Sequence, residues 1–317
     1  MQQTYQKKHC YRTKNKNMKV LISGGSGLLG REIERELKSN GHEVLILSRK
    51  KSAEDKYVFW DVDKQTIDYD KIRDVEAIIH LAGEGIADKR WSNERKQSII
   101  DSRVNSTMLL EKFIKEHPNK IKHFISASAV GYYSNRGEEL MTEESKPARD
   151  FLGETCILWE RAVDNISSAD IRVVKLRIGI VLTLNGGALK QMILPFYAGM
   201  GSALGDGKQW MSWIDSLDLA RMFVYALENE KMVGAYNAVA PEPVRNDEFG
   251  KILSKVMSRP YWAPKVPAFI IKSIFGEMSE IILGSIRVSA DKVLKTGFEF
   301  KYAKLEDSLR DILKRKR

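Results

Sequence analysis

From residue 19 onward the chain alternates short apolar runs with stretches whose apolar residues recur at helical spacing. The runs are Val20–Ile22, Val44–Leu47, Tyr57–Trp60, Ala77–Leu81, Phe124–Ser128 and Val173–Leu176. Most are continuous rather than alternating, as expected of strands covered on both faces. Between them, helices are predicted from Leu28 (with Ile33 and Leu37 on the apolar face), over Asn93–Lys115 and over Phe151–Ser167. Strand and helix in turn predict an α/β fold with a doubly wound parallel sheet. The second half is less regular. Glycines 186, 187, 199, 201, 205 and 207 punctuate a long loop around Pro195-Phe196, and helices are expected over Asp218–Glu228 and Asp307–Leu313. Prolines 241, 243, 260, 264 and 267 cut the rest into short pieces, which reads as a smaller C-terminal α/β lobe.

The junction after the first strand reads Gly24-Gly25-Ser26-Gly27-Leu28-Leu29-Gly30. A strand that ends in glycines and opens into an amphipathic helix is a dinucleotide-binding turn. The early glycines allow a sharp bend and a close approach to a pyrophosphate, and the later ones let helix, ligand and sheet come together. Gly24, Gly27, Leu28, Leu29 and Gly30 are therefore cofactor-binding candidates, with helix N–H groups facing the phosphates. The second strand ends in Ser48-Arg49-Lys50-Lys51, with no acid before Glu54. An acid there accepts a free ribose 2′-hydroxyl, whereas arginine suits a 2′-phosphate, so NADP is expected rather than NAD. The expected organisation is a basic disordered extension at 1–17, an NADP-binding domain at 18–180 and a substrate lobe at 181–317 that returns to the first core near 208–240.

The net charge of +10 changes this picture little. Residues 1–17 carry Lys7, Lys8, Arg12, Lys14 and Lys16 with no acid, and the chain ends in Lys314-Arg315-Lys316-Arg317. The remainder is close to neutral, which gives no case for a nucleic-acid partner. No apolar stretch is long enough to span a bilayer. Two cysteines, Cys10 and Cys156, make no disulfide framework and suit the cytoplasm. Five scattered histidines offer no metal site. The expected partner is a small-molecule substrate, on a monomer or homodimer.

The glycine turn, His80-Leu81-Ala82-Gly83, Asp101-Ser102-Arg103-Val104-Asn105 and Ser126-Ala127-Ser128 occur together in an order that resembles the extended short-chain dehydrogenase/reductases. More narrowly, the chain resembles the YfcH-like nucleoside-diphosphate-sugar epimerase family. That match rests on Leu81–Trp91, Ser126–Tyr133, Asp150-Phe151-Leu152, Arg177–Leu182, Gly186–Leu189, Gln209–Ile214, Pro241–Asn246 and Gly297–Phe300. The resemblance implies an NADP-dependent epimerase or oxidoreductase acting on a small polar, nucleotide-sugar-like substrate. It adds Leu81, Ala82, Gly83, Asn105 and Arg177 to the cofactor candidates.

In the superfamily a serine orients the substrate oxygen, and a tyrosine and a lysine four residues apart share a helix face. The lysine lowers the tyrosine pKa so that the phenolate takes the hydroxyl proton. Ser128 fits the serine. The tyrosine and lysine positions hold Leu152 and Cys156, which can do neither job. Tyr132 is the first candidate for a replacement acid/base, ahead of Glu154. Glu84, Lys89, Arg90, Lys208, Trp210, Trp213 and Arg245 are substrate-binding candidates, because arginine and lysine suit phosphates and aromatic faces suit sugars or planar rings. Asp215, where relatives often carry histidine, supplies no such base. The alternative is a non-catalytic NADP-binding regulator or scaffold that has lost the Tyr/Lys pair.

Overall fold

The computed structural model describes residues 17–167 and 170–315. The expected disordered extension, with Cys10, therefore lies outside the described residues apart from Asn17. The centre is an eight-stranded sheet. In chain order its strands are β1 (Lys19–Ser23), β2 (Glu43–Ser48), β3 (Tyr57–Asp61), β4 (Thr66–Ile67), β5 (Ala77–His80), β6 (His123–Ala129), β7 (Arg172–Ile178) and β8 (Gly234–Ala238). They lie side by side as β8-β7-β6-β5-β1-β2-β3-β4. Every pairing is parallel except β3 with the short edge strand β4. The register sets Val20 beside both Val44 and Ala77, so chain direction reverses laterally on either side of β1. That reversal is the topological switch point, where ligands bind at the carboxyl ends of the strands.

Helix α1 (Leu28–Ser39) joins β1 to β2, and α2 (Asn93–Glu116) joins β5 to β6 in the opposite lateral direction. Right-handed crossovers place them on opposite faces of the sheet. Helix α3 (Phe151–Asp164) packs beside α2, and α4 (Ser216–Glu228) packs beside α1. Ile33 and Leu37 are buried on α1, as their spacing predicts. Ser92 caps α2 by accepting from the Arg95 N–H at 3.2 Å, and Asp150 caps α3 by accepting from Gly153 N–H at 2.9 Å.

A second, smaller core gathers Leu182, Leu189, Phe196, Met211, Trp213, Phe249, Leu253, Leu305, Leu309 and Ile312. It lies between the short elements of the lobe and two amphipathic helices, α5 (Asn246–Met257) and α6 (Leu305–Arg315). The two cores interleave along the sequence. Ile214, Phe223, Tyr236, Val288 and Phe298 belong to the first, because α4, β8 and the segment near 288–298 return to the large sheet. The expected long loop around Pro195 instead contains two short helices, Gly187–Met192 and Leu194–Tyr197. Pro195 sits in the first turn of the second, where its missing N–H would have had no partner.

Candidate active site

The turn after β1 is built from backbone contacts that exclude side chains. Gly24 adopts φ +72°, and a Cβ there would lie 3.1 Å from the carbonyl of Leu81 at the exit of β5. A Cβ on Gly30 would lie 2.5 Å from the Gly24 oxygen and the Gly25 Cα, so α1 is seated directly on the turn. Gly27 differs. Its N–H donates to the Gly24 oxygen at 3.0 Å, and its would-be Cβ meets only that same oxygen, at 3.1 Å. Helix α1 begins with no side-chain cap and no acid in its first turn. The N–H groups at Leu28, Leu29 and Gly30 are thus left for a ligand, in a cradle whose shape and polarity fit a pyrophosphate.

At the end of β2, the Ser48 hydroxyl donates to the Lys50 carbonyl at 2.7 Å and accepts from the Lys50 N–H at 3.0 Å. This local turn presents Arg49 to solvent, with no ion pair to any described residue. Sequence reasoning missed Arg31, in the first turn of α1. Its Nε donates to the Ser26 carbonyl at 3.1 Å, which folds the side chain back over the glycine turn. The signal was present as the residue directly after the last glycine of the motif.

Beneath the switch point sits His80, fully buried at the end of β5. Ser23 Oγ accepts the N–H groups of Leu81 and Ala82 at 3.1 and 3.3 Å, so its own proton goes to His80 Nδ1 at 2.6 Å. On α2, the Thr107 hydroxyl donates to the Arg103 carbonyl at 2.7 Å and therefore accepts from His80 Nε2 at 3.0 Å. These roles fix a neutral imidazole with its proton on Nε2. Burial, with the charge of Arg103 adding to it, pushes the His80 pKa down to about 3. Unfolding frees a group that titrates near 6.5, so the stability tied to neutral His80 is full above that pH and is lost progressively as pH falls toward 3. The unfolding free energy is expected to drop by about 2 kcal/mol at pH 5 from this group alone. Urea titrations of the wild type and His80→Asn at pH 7.5 and 5 check this, and equal pH dependence in the two would refute it.

The end of β6 departs from the expected arrangement. Ser128 is buried and donates to Glu160 Oε1 at 2.7 Å. Arg177 grips the same carboxylate with two bonds, Nε to Oε1 at 2.8 Å and Nη2 to Oε2 at 2.9 Å. Its Nη1 donates to the Tyr133 hydroxyl at 2.9 Å, and that hydroxyl donates to Asn237 Oδ1 at 2.7 Å. Burial alone would raise Glu160, but the Arg177 bonds and charge outweigh it and hold the carboxyl below its ordinary range. Arg177 is therefore an internal ion-pair partner rather than a cofactor contact, and Ser128 has its proton committed to Glu160. Asn105 is also corrected: it lies on the exposed outer face of α2, where its carbonyl accepts from Gln65 Nε2 at 3.3 Å. The neighbouring Ser106 and Thr107 turn inward to His80 instead.

Leu152 and Cys156 are buried beside Gly131, 3.5 and 3.7 Å from where its Cβ would stand. Burial pushes the Cys156 thiol up to about 12, with the Glu160 charge adding to it, so no thiolate replaces the missing lysine. Tyr132 is half-buried, its ring lying face-on over the Arg177 guanidinium at 3.5 Å. Its hydroxyl bonds to no described residue. Glu154 is exposed.

Of the substrate candidates, Lys208, Trp210 and Arg245 do come together. Trp210 pairs with Arg245 across two short antiparallel strands, and the guanidinium stacks on the indole at 4.5 Å while donating to the Lys208 carbonyl at 2.6 Å. Glu138, absent from the sequence-derived set, accepts from Arg245 at 2.8 Å and from the Trp210 indole at 2.9 Å. Trp213 is no ligand contact. It is fully buried in the second core, with its indole N–H donating to the Glu242 carbonyl at 2.9 Å. Glu84 is held by Arg95 and by Ser98 Oγ, the latter at 2.8 Å. Lys89 is exposed, and Arg90 lies against Gly276 of the lobe. Asp215 is buried as the cap of α4, accepting from Leu217 N–H at 2.8 Å and Ser308 Oγ at 2.7 Å. Among the described residues no helix is long and apolar enough to cross a membrane, and no cluster of three or more candidate metal ligands occurs.

A mostly parallel sheet with its glycine turn at the switch point defines an NAD(P)-binding Rossmann protein of the short-chain dehydrogenase/reductase type. The chain belongs to the NAD dependent epimerase/dehydratase family, whose sequence profile matches residues 20–239. A second profile, a domain of unknown function (DUF1731), matches residues 266–312. The epimerase family protein YfhF of Bacillus subtilis is 38% identical over 93% of this chain and 98% of its own length. The chloroplastic SDR39U1 homolog of Arabidopsis thaliana is 36% identical over 96% of this chain and 89% of its own. Among solved structures, human epimerase family protein SDR39U1 with NADPH superposes with a TM-score of 0.87 at 30% identity, covering 94% of this chain and 99% of that one. A nucleoside-diphosphate sugar epimerase from Corynebacterium glutamicum gives 0.78 at 32% identity, this chain spanning 58% of it.

Proposed function

We propose that this chain binds NADP(H) across the β1/β5 switch point and exchanges hydride with a small polar, nucleotide-linked substrate under the lobe. The observation that carries the cofactor half is the uncapped glycine turn with arginine, and no acid, on the adjoining end of β2. Gly24–Gly30 would seat the pyrophosphate, and Arg49 with Lys50 would meet the 2′-phosphate. The human relative crystallised with NADPH supports this reading. When bound, the nicotinamide supplies or accepts a hydride. On the protein side, Tyr132 carries the unengaged hydroxyl at the end of β6 and would hold or give the proton. Lys208, Trp210 and Arg245, the last paired with Glu138, would hold an anionic, planar portion of the substrate. The sugar-epimerase relative supports that substrate class.

One observation favours a second reading, a non-catalytic NADP(H)-binding protein: Leu152 and Cys156 stand where the proton-relay pair belongs, and Ser128 is engaged by Glu160. Fluorescence titration and nicotinamide absorbance decide between them. Arg49→Ala is expected to weaken NADPH by about tenfold while sparing NADH, the scale of one charged hydrogen-bond partner. NADPH-loaded protein challenged with small carbonyl compounds is expected to lose the reduced-nicotinamide absorbance, NADP⁺-loaded protein challenged with sugar nucleotides to gain it, and Tyr132→Phe to stop both changes. Tight binding with silence across every pool would favour the second reading.

A further inference from the structure

We infer that Arg31 is a specificity-determining residue for the cofactor, closing over the 2′-phosphate from the helix side while Arg49 approaches from the strand side. This rests on the NADP(H) reading above and adds to it a residue from a different element. Arg31 stands in the first turn of α1, yet its side chain does not extend along the helix into solvent. The Nε–H bond to the Ser26 carbonyl, 3.1 Å, ties it back to the glycine turn. That bond uses one of the five guanidinium N–H groups, so both terminal nitrogens stay free to form a fork for a phosphate.

The surroundings leave the fork unopposed. No acid occupies the first turn of α1. Glu34, one turn further on, is already engaged by Lys38 at 2.6 Å and by Lys56 at 3.5 Å. Those bonds and charges outweigh its burial and hold its carboxyl below the ordinary range, so it stays an anion committed to lysines. The turn is also pinned to the second strand. A Cβ on Gly25 would sit 2.8 Å from Ile46 Cγ2, so the segment that carries Ser26 lies directly against β2 two residues before its end at Ser48. Arg31, held at Ser26 after β1, and Arg49, presented just past Ser48 of β2, thus both stand at the carboxyl ends of two neighbouring strands. The serine turn at 48–50 fixes the backbone that carries Arg49, while the Ser26 carbonyl holds the Arg31 side chain itself. An arginine already held by a main-chain bond, as Arg31 is, recognises a phosphate dianion with less ordering cost than a free side chain.

The test is equilibrium binding of NADPH, NADH and adenosine 2′,5′-bisphosphate to the full chain and to Arg31→Ala, Arg31→Lys and Arg49→Ala, read by fluorescence and calorimetry. Arg31→Ala is expected to weaken NADPH and the bisphosphate about tenfold and leave NADH within a factor of two. Arg31→Lys, which keeps the charge and loses the fork, is expected to fall between. Because position 31 is exposed and alanine is a good helix former, the melting temperature should not move. Equal loss of NADPH and NADH in Arg31→Ala, or no loss of either, overturns the role of Arg31 while leaving Arg49→Ala to report on the NADP reading. A wild-type protein that binds NADH as tightly as NADPH overturns both.

Discussion

Arg177→Ala is expected to destabilise the protein by about 3–5 kcal/mol, a fall in melting temperature on the order of 10 °C for a chain of this size. The cost comes from what remains. Glu160 is buried against β6 and β7, and without the guanidinium its carboxylate keeps only the Ser128 hydroxyl and a distant Lys175 ammonium at 3.7 Å. Tyr133 loses its donor at the same time, and the Tyr132 ring loses the cation beneath it. Replacing both partners with apolar groups of similar volume, as in Arg177→Met with Glu160→Leu, is expected to recover most of the loss, since neither charge is then stranded. Thermal and urea unfolding of the single and double variants measure this directly. A loss under about 1 kcal/mol in Arg177→Ala would mean that water reaches the pair. Acid should mimic the mutation. The Glu160 carboxyl is held below its ordinary value, so its contribution is full above about pH 4.5 and disappears as pH falls through the lower folded value.

Gly30→Val is expected to abolish measurable dinucleotide binding, a loss of at least 100-fold, because displacing a positioning element by about 1 Å is enough for that. The atoms that its Cβ would strike, the Gly24 oxygen and the Gly25 Cα at 2.5 Å, are backbone and cannot swing aside. Helix α1 must therefore lift off the turn, which takes its N–H groups away from the pyrophosphate and costs about 1–3 kcal/mol of stability in strain. Gly27→Ala is the control that separates ligand from fold. Its Cβ meets one oxygen at 3.1 Å, which a shift of a few tenths of an ångström relieves, so the variant should lose less stability than Gly30→Val and still bind nucleotide more weakly. Calorimetric titration beside a melting curve reads both. Nucleotide binding by Gly30→Val at wild-type strength would place the cofactor elsewhere.

The glycine turn and the central strands were legible from sequence because their requirements are local. A positive φ at Gly24 and the absence of side chains at Gly25 and Gly30 follow from the bend and the close approach. Strands buried on both faces must be continuous apolar runs, so β1, β2, β5 and β6 stand out, and a basic rather than acidic end to β2 is visible without knowing the fold. Residue type alone singles out Lys208, Trp210 and Trp213 in one loop and Arg245 separately, and only the strand pairing sets Trp210 beside Arg245 while Trp213 turns into the core.

Where a side chain points was another matter. Arg177 and Ser128 were placed toward ligand, but each is turned by Glu160, 17 and 32 residues away in sequence, onto the helix that covers β6 and β7. A signal existed: Lys175 and Arg177 share one face of β7, both buried, and two cations there require acids on whatever packs against them. Trp213 and Asn105 failed for the complementary reason, since an aromatic suits a core as well as a ligand, and a step of one residue along α2 exchanges solvent for His80. By itself the sequence determined the sheet, the nucleotide turn and the absence of the Tyr/Lys pair, because those depend on neighbours along the chain. Only the tertiary structure decided which polar groups are spent on one another and which, like the terminal nitrogens of Arg31, the Arg49 guanidinium and the Tyr132 hydroxyl, bond to no described residue, because hydrogen bonds are satisfied by neighbours in space.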